Sequence, residues 1–357
     1  MAKNRFIGLT NRVLMLIAAA LLALSYLSMF FNPAKVWLLS LAGLLFVPFS
    51  LVNLFLLIWA IARRSKAFVI PMLAMLPALF FIGRYVQVSD NDAESELKNA
   101  DALKVISWNV GRFAYHSCDI DTFEECADSV FRFIKQQDAD IICLQEMRIK
   151  DSRRIKAYLK EKMKGYSSEY YMFTNRGGSF GNVTLSRLSV RNRGKVKFDE
   201  SANLAIFTDY EYAGKVFRVY NCHFESYNIS LSGIIRAMLK SESDIIAETG
   251  TKMKRSITRR PKQVDQVFAD IENCPVETFV CGDFNDNPMS YTYYRMMRDR
   301  KDTFVEAGKG FGATYARLWP LLRIDYILCP KAYEVVSHEI PRVGLSDHYP
   351  VVAEITF

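Results

Sequence analysis

Residues 276–290 read VETFVCGDFNDNPMS, an apolar run that ends abruptly in a cluster of acids and amides. The first part, through Cys281, has the composition of a buried strand. Asp283, Asn285 and Asp286 follow at once, although a buried strand gains no stability from charged groups at its end. The pattern therefore predicts a strand that enters a cleft and presents oxygen and amide groups to a ligand.

Four other apolar runs end in the same way. The polar residues at their ends are Asn109 in VISWNVG, Glu146 in IICLQE, Asn221, His223 and Glu225 in VYNCHFES, and Asp347 and His348 in GLSDHYPV. Asp325 lies inside the apolar run LLRIDYIL, where a carboxylate is costly unless it is paired or hydrogen-bonded. Each residue alone has an ordinary interpretation, as a turn residue, a solvated strand end or a satisfied core group. Five such ends in one fold instead predict one shared site.

Residues 104–357 alternate apolar runs of strand length with helical patterns, and these 254 residues suffice for one mixed α/β core. The predicted strands are Lys104–Asn109, Asp140–Leu144, Val183–Ser186, Leu204–Thr208, Val216–Cys222, Thr278–Cys281, Ile324–Leu328 and Val351–Ile355. Thr122–Lys135 has an apolar stripe at helical spacing, and Pro261–Ile271 is a second predicted helix, with proline at a favoured first position. Residues 89–103 are polar and acidic, and we interpret them as a linker.

From about Lys104 to Phe357 the chain resembles the endonuclease/exonuclease/phosphatase superfamily. Seven motifs carry the resemblance, in the superfamily's order: WNV with Asn109, LQE with Glu146, GNVTLSR at Gly181–Arg187, NCHFES with His223, GDFND at Gly282–Asp286, RIDYIL at Arg323–Leu328 and SDHYPV at Ser346–Val351. The resemblance implies an α+β fold, a four-layer α/β/β/α sandwich in which two mixed sheets lie face to face with helices outside. It also implies divalent-metal-dependent hydrolysis of phosphoesters.

Residue chemistry agrees with a metal site. Glu146, Asn109 and Asp347 offer hard oxygen ligands, and no thiolate accompanies them at the strand ends. This donor set suits Mg²⁺ or Mn²⁺ rather than zinc. Glu146 is the first residue that we expect to bind the ion.

Attack on phosphorus requires a water held in line behind it. Asp283 is the candidate that orients and deprotonates this water, while Asn285 holds the water or a phosphoryl oxygen. His348 is expected beside the scissile phosphate, as base or as cationic stabiliser. Asp325 resembles the carboxylate that pairs with this histidine in the superfamily, which would fix its tautomer and favour its charged form.

His223 is the second histidine, and it could donate to a phosphoryl oxygen or protonate the leaving group. Asn182 in GNVTLSR resembles a phosphate-side amide, with a turn residue after Gly181 as the alternative. NCHFES replaces the Tyr-x-Pro-Asn segment of the apurinic-site branch, which disfavours DNA repair. Nucleic acids and phospholipids or small phosphoesters remain open as substrates. The alternative functions are an inactive cleft that binds a phosphorylated partner and a membrane structural or assembly protein.

The first 88 residues predict a membrane anchor. They contain no Asp or Glu, and their eight Lys and Arg residues equal the net charge of the chain, +8. The basic pI therefore gives no evidence for nucleic-acid binding. Three apolar runs, at about 13–31, 36–62 and 67–83, approach or exceed the roughly 17–25 residues that span a bilayer. We predict three transmembrane helices in residues 1–88, followed by the linker and a catalytic domain at 104–357.

Positive charges orient this anchor. Lys3, Arg5 and Arg12 precede the first run, and RRSK at Arg63–Lys66 lies between the second and the third. Both regions are therefore predicted to be cytoplasmic. Three spans would make this a multi-pass protein of the cytoplasmic (inner) membrane, with an extracytoplasmic or periplasmic catalytic domain. If the run at 67–83 only enters the membrane without crossing it, the catalytic domain would lie on the cytoplasmic side.

The cysteines and one basic run are the remaining features of the sequence. Cys143, Cys281 and Cys329 lie in apolar strands as small buried residues, and Cys118 and Cys126 could form a disulfide outside the cytoplasm. The run after His223 is basic: Lys252, Lys254, Arg255, Arg259, Arg260 and Lys262. This run is interpreted either as a solvated loop or as a surface for lipid headgroups or a polyanionic substrate.

Overall fold

The computed structural model describes residues 2–88, 102–114, 123–175, 178–199, 201–227 and 243–357. It divides into two compact units. The helical unit comprises Met1–Tyr85, Tyr227–Pro261 and Asp286–Tyr294. The sheet unit comprises Val86–Ser226, Lys262–Asn285 and Arg295–Phe357. The helical unit thus includes two segments from beyond the predicted boundaries at residues 88 and 104. Those boundaries stay predictions. Most of the predicted linker, Thr122 and Cys118 lie outside the described residues.

Apolar helices form the first part of the helical unit. They are α1 (Ala2–Leu27), α2 (Trp37–Leu44), α3 (Phe46–Ala62) and α4 (Val69–Met75), with short 3₁₀ turns at Lys66–Phe68, Leu76–Phe80 and Ile82–Arg84. Tyr26 packs edge-on against Phe46, and the Asn53 amide donates to Ala18 O at 2.9 Å. The inner face of these helices is thus joined by specific contacts.

The described residues contain one helix that is long and apolar enough to cross a membrane, at Leu9–Leu27, and not three. The second predicted span is bent by 59° between α2 and α3, and would count only if the bent pair crosses as one span. Pro48, in the first turn of α3, has no N–H to continue the helical ladder there. The third predicted span is broken into α4 and 3₁₀ turns, with Pro77 at the start of the second turn.

Two six-stranded mixed sheets form the sheet unit. The strands of the first sheet, in spatial order, are β13 (Glu334–Glu339), β14 (Val351–Thr356), β2 (Leu103–Asn109), β3 (Ile141–Ile149), β5 (Gly178–Ser186) and β4 (Ser167–Asn175). Those of the second are β10 (Arg300–Asp302), β12 (Asp325–Pro330), β9 (Glu277–Asp283), β8 (Lys215–His223), β7 (Leu204–Tyr212) and β6 (Ser189–Lys197). Val86–Gln87 (β1) and Gly310–Phe311 (β11) form a separate short pair.

The remaining described helices lie between strands in chain order. They are α5 (Phe123–Gln137), α6 (Ile155–Lys162), α7 (Ser243–Glu272), α8 (Tyr291–Met296) and α9 (Thr303–Ala307). One apolar core joins the first sheet to α5 and α6, and includes Trp108, Phe131 and Leu159. A second core includes Val105 of the first sheet and Phe279 of the second, so it lies between the sheets. These layers are consistent with the predicted sandwich.

All eight predicted strands are present, most of them extended by one to several residues. The predicted helix at Thr122–Lys135 is observed as α5, and that at Pro261–Ile271 is the second half of α7. Cys143, Cys281 and Cys329 are buried, as predicted. The basic run after His223 is helical and forms part of α7, so its interpretation as a loop was wrong.

Candidate active site

Strand register aligns three of the predicted residues. The parallel strands β8 and β9 pair His223 with Asp283, and the antiparallel strands β9 and β12 pair Asp283 with Asp325. The three side-chain positions therefore form one row across neighbouring strands. Gly282, just before the row, permits the close approach of β8, since a methyl group there would lie 1.9 Å from Cys222 O.

Glu146 lies at an irregularity in β3. The pairing of β3 with β5 shifts between Leu144 and Met147, and Glu146 has φ of 51°. A non-glycine residue in this conformation is uncommon, and such backbone strain concentrates at functional sites. The bulge turns the carboxylate toward His223, whose Nε2 lies 3.6 Å from Glu146 Oε1. The same Nε2 lies 3.8 Å from Asp283 Oδ2, so Glu146 and Asp283 do meet at one place.

Arg112 also pairs with Glu146. Its Nε donates to Glu146 Oε2 at 2.7 Å, and its guanidinium lies over the Phe180 ring, 4.2 Å from the centroid. Burial opposes ionisation of Glu146, but the charges of His223 and Arg112 outweigh it and lower the Glu146 pKa. The carboxylate is therefore ionised, and a metal ion that it binds would take the place of the Arg112 contact.

Asp283 is buried and richly hydrogen-bonded. Asn109 Nδ2 donates to its Oδ2 at 2.9 Å, and Asn285 donates through its backbone N at 2.7 Å and its Nδ2 at 3.1 Å. Burial and the nearby charge of Asp325 raise the pKa of Asp283 to about 6, although His348 and His223 oppose the rise. This carboxyl group can hold or release a proton near neutral pH.

His348 and Asp325 form the predicted pair. His348 Nδ1 lies 2.9 Å from Asp325 Oδ2, and its Nε2 lies 3.9 Å from Asp283 Oδ2. Trp108 Nε1 donates to His348 O at 2.9 Å, which helps to hold the histidine backbone. Burial disfavours the charge of His348, but Asp325 and Asp283 outweigh that effect and raise its pKa to about 10. The imidazole is therefore cationic at neutral pH, with Nε2 left to face the cleft.

Asn109 and Asp347 lie on either side of Gly111. The Gly111 N–H donates to Asn109 Oδ1 at 3.0 Å, and a methyl group at Gly111 would lie 3.0 Å from Asp347 Oδ1. Asn109 Oδ1 keeps a second lone pair for another partner. Arg317, an exposed side chain, approaches Asp347 at 3.5 Å. Oxygen donors of Glu146, Asn109 and Asp347 fit the hard ligand set that Mg²⁺ or Mn²⁺ prefers.

A second group of side chains could also hold an ion. Ligand atoms of Asp283, Asp325 and His348 all lie within 4.8 Å of one another. However, His348 must lose its proton to act as a ligand, and its raised pKa disfavours that loss. On this chemistry Glu146 is the better first ligand.

Asn285 and Asn182, two residues predicted to contact substrate, donate hydrogen bonds to backbone carbonyl groups of the protein. Asn285 has φ of 51° and donates from Nδ2 to Phe224 O at 3.0 Å. Asn182 is buried, and its Nδ2 donates to Leu204 O and Asn221 O. Asn221 is also buried and bridges the sheets, donating to Leu144 O and Val183 O. Asn221 is therefore a core residue, while a phosphate contact from Asn182 stays a prediction.

Sequence reasoning missed several residues around the site. Arg112 was readable within WNVGRF only as a basic residue near a strand end. Ser346 Oγ donates to Asn109 O at 2.7 Å, which links two of the strand ends. Thr314 Oγ1 accepts from Ile324 N and Asp325 N at 3.0 and 3.1 Å, and so holds the start of β12. Thr314 precedes the RIDYIL motif by nine residues and lies outside every motif, so no local signal identified it.

Comparison with known proteins identifies the class. The model of the endonuclease/exonuclease/phosphatase family matches residues 106–348, and a second model, of a domain of unknown function, matches residues 4–85. Because the first match covers more than half of the chain, the protein belongs to the endonuclease/exonuclease/phosphatase family. Members of this family are metal-dependent phosphoesterases and nucleases. No curated protein matches the chain.

Solved structures agree on the fold. An endonuclease/exonuclease/phosphatase from Beutenbergia cavernae DSM 12333 is 18% identical, with a TM-score of 0.53 over 72% of each chain. The human Nocturnin catalytic domain with bound sulfate is 16% identical, with a TM-score of 0.51 over 72% of this chain and 94% of that one. TDP2 of D. rerio, humanized by 14 mutations, is 17% identical, with a TM-score of 0.51 over 72% and 100%. At these identities the similarity shows the fold alone.

Proposed function

We propose that the protein is a phosphoester hydrolase that uses Mg²⁺ or Mn²⁺. The observation that carries this proposal is the meeting of Glu146 and Asp283 at His223 Nε2, beside the His348–Asp325 pair. Glu146 would hold the ion, with Asn109 and Asp347 as further oxygen ligands or ligands through water. The bound ion would supply a positive charge that stabilises the charge developing on the phosphoryl group.

The residues of the chain have distinct roles in this proposal. Asp283 accepts a proton from the attacking water, and its raised pKa makes it a better base than an ordinary aspartate while leaving it ionised at neutral pH. Asn285 orients that water or a phosphoryl oxygen. The cationic His348 donates from Nε2 to the phosphoryl group, and Asp325 fixes its orientation through Nδ1. His223 contributes a second imidazole at the same place.

A test with soluble substrates separates the enzyme from the alternatives. Full-length protein purified in detergent should hydrolyse at least one of a generic phosphodiester, a phosphomonoester, DNA or RNA. Chelation with EDTA should abolish the activity, and added Mg²⁺ or Mn²⁺ should restore it. Activity that survives chelation would contradict the metal role. Inactivity on every one of these substrates and on phospholipid vesicles would favour a cleft that only binds a phosphorylated partner, or a structural protein.

The rate should depend on pH through Asp283 and His348. Asp283 must be unprotonated to act as a base, so kcat/KM should rise with pH and reach half its plateau near pH 6. His348 must keep its proton, so kcat/KM should fall again as pH passes about 10. The profile should be measured at saturating Mg²⁺ with a soluble phosphodiester. A kcat/KM profile that stays flat from about pH 5 to about pH 7, roughly one unit either side of the Asp283 pKa, would exclude Asp283 as the base.

We further propose that the helical unit binds a lipid bilayer. Leu14, Ile17, Leu51, Phe55 and Ile58 of α1 and α3 are all more than half exposed. Exposed apolar side chains that recur along two helices are typical of membrane or interaction sites. The protein should float with lipid vesicles in a density gradient. A protein that stays at the bottom of the gradient would refute membrane binding. The predicted extracytoplasmic side of the sheet unit depended on three spans and stays a prediction.

A further inference from the structure

The helical unit contains more than the N-terminal helices. Residues 286–294, which begin one position after Asn285, belong to it, and so do residues 227–261, which begin four positions after His223. Covalent geometry alone keeps the Cα atoms of Asn285 and Asp286 about 3.8 Å apart. Likewise, His223 can be no more than about 14 Å from Tyr227 along the chain. Two proposed catalytic residues are therefore within short covalent reach of the helical unit.

Specific polar contacts bind residues 286–294 to the apolar helices. Asn287 Nδ2 donates to Gly43 O at 2.9 Å, and Ser28 Oγ donates to Met289 O at 2.5 Å. Arg84 Nη1 donates to Pro288 O at 2.9 Å. A methyl group at Gly43 would lie 2.2 Å from Ser28 Oγ and 2.7 Å from Met289 O. Any side chain at position 43 would clash with Ser28 and Met289, so glycine there allows residues 286–294 to pack closely against α2.

A buried ion pair holds the start of this segment. Arg260 Nη1 lies 2.9 Å from Asp286 Oδ2, and both side chains are almost completely buried. Tyr227 Oη donates to Asp286 Oδ1 at 3.0 Å, and Thr292 Oγ1 donates to Oδ2 at 2.9 Å. Loss of one partner of such a pair is strongly destabilising, because it leaves a buried charge without compensation. Residues 286–294 are thus fixed to the same unit that carries the exposed apolar side chains of α1 and α3.

The first half of α7 adds a basic surface to that unit. Lys254 and Arg255 are exposed, and Lys254 Nζ lies over the Trp37 ring, 5.5 Å from its centroid. Tryptophan beside lysine at the end of an apolar helix is typical of a membrane–water interface. Anionic lipid headgroups attract basic residues near a bilayer surface by about 1 kcal/mol each. The charge of this surface therefore complements an anionic phospholipid bilayer.

We propose that the substrate is a phosphoester carried by a membrane lipid, and that Lys254 and Arg255 hold anionic headgroups beside the helical unit. This inference rests on the proposed hydrolase function. A bilayer bound by the helical unit keeps lipid phosphoesters at a high local concentration. The short covalent links from Asn285 to Asp286 and from His223 to Tyr227 keep the catalytic residues near that unit. Lys254 and Arg255 would also attract the phosphates of a soluble polynucleotide, but a bilayer does not concentrate such a substrate.

The test uses full-length protein reconstituted into vesicles of the polar-lipid extract of its expression host. Phosphorus NMR would report any new phosphate species released from lipid, and a soluble phosphodiester would report catalysis itself. We expect lipid hydrolysis in wild-type vesicles. The double variant Lys254→Glu/Arg255→Glu should lower lipid hydrolysis by at least about tenfold and leave soluble-diester hydrolysis unchanged. The matched control is Lys156→Glu/Lys160→Glu, two exposed lysines of α6 in the sheet unit.

The outcomes are distinguishable. Hydrolysis of the soluble diester without any lipid hydrolysis would overturn the lipid inference and leave the hydrolase function standing. Equal lipid hydrolysis by the two double variants would overturn the role of Lys254 and Arg255. Inactivity of the wild type on both kinds of substrate would instead count against the hydrolase function itself.

Discussion

Asp283→Asn is expected to lower kcat by about three orders of magnitude, the middle of the range that general acid–base groups contribute. Asparagine has the same shape but cannot accept a proton from water. Asp283 is the acid that receives three hydrogen bonds from Asn109 and Asn285 in a buried site, and its raised pKa suits a base. KM for a soluble phosphodiester should change much less than kcat, because the lost interaction acts in the chemical step.

A matched control for this variant is Asp299→Asn. Asp299 is an exposed acid just before β10, and asparagine tolerates its φ of 63°. Its activity should equal that of the wild type. A general base contributes at least about a hundredfold to the rate. If Asp283→Asn keeps more than roughly a tenth of the wild-type activity, Asp283 is not the base. Circular dichroism of both variants would show whether the fold is kept.

Glu146→Gln should reduce activity by a similar factor for a different reason. A metal ion contributes several kcal/mol of transition-state stabilisation, and loss of about 4 kcal/mol corresponds to about a thousandfold in rate. Glutamine keeps the shape at the bulge but removes the charge that His223 and Arg112 favour. Titration with Mn²⁺, followed by electron paramagnetic resonance, should show weaker binding by the variant. Activity should recover in part at high Mg²⁺.

Glu334→Gln is the control for Glu146→Gln. Glu334 is an exposed glutamate at the start of β13. The Glu334→Gln variant should have the same Mn²⁺ affinity and the same rate as the wild type. Equal Mn²⁺ affinity in Glu146→Gln and the wild type would show that the ion is bound elsewhere, with Asp283, Asp325 and His348 as the alternative group.

Local patterns were sufficient to predict the strands and their polar ends. Asn109, His223 and Asp283 each end an apolar run, and each ends a strand in the structure. The pairing of His348 with Asp325 was implied by the superfamily resemblance, and the structure has it at 2.9 Å. These features succeed because a change from apolar to polar residues marks the end of a buried strand within a few positions.

Features that depend on tertiary contacts could not be predicted. Asn221 lies near the end of an apolar run, as the site residues do. The register of β8 instead directs its side chain between the sheets, where its amide donates hydrogen bonds to carbonyl groups of β3 and β5. The ion pair of Arg112 with Glu146 joins residues 34 positions apart. Composition alone also suggested three spans, because hydropathy does not register the bend between α2 and α3 or the breaks around α4. The division into two units could not be predicted either, because residues 286–294 follow the GDFND motif without any change in composition.

Anomalous diffraction from crystals of the full-length protein grown with Mn²⁺ would locate the metal ion directly. We expect a manganese peak roughly 2.0–2.3 Å from a carboxylate oxygen of Glu146, with Asn109 and Asp347 on the same side of the ion. A peak bound by Asp283, Asp325 and His348 while Glu146 stays paired with Arg112 would contradict this expectation.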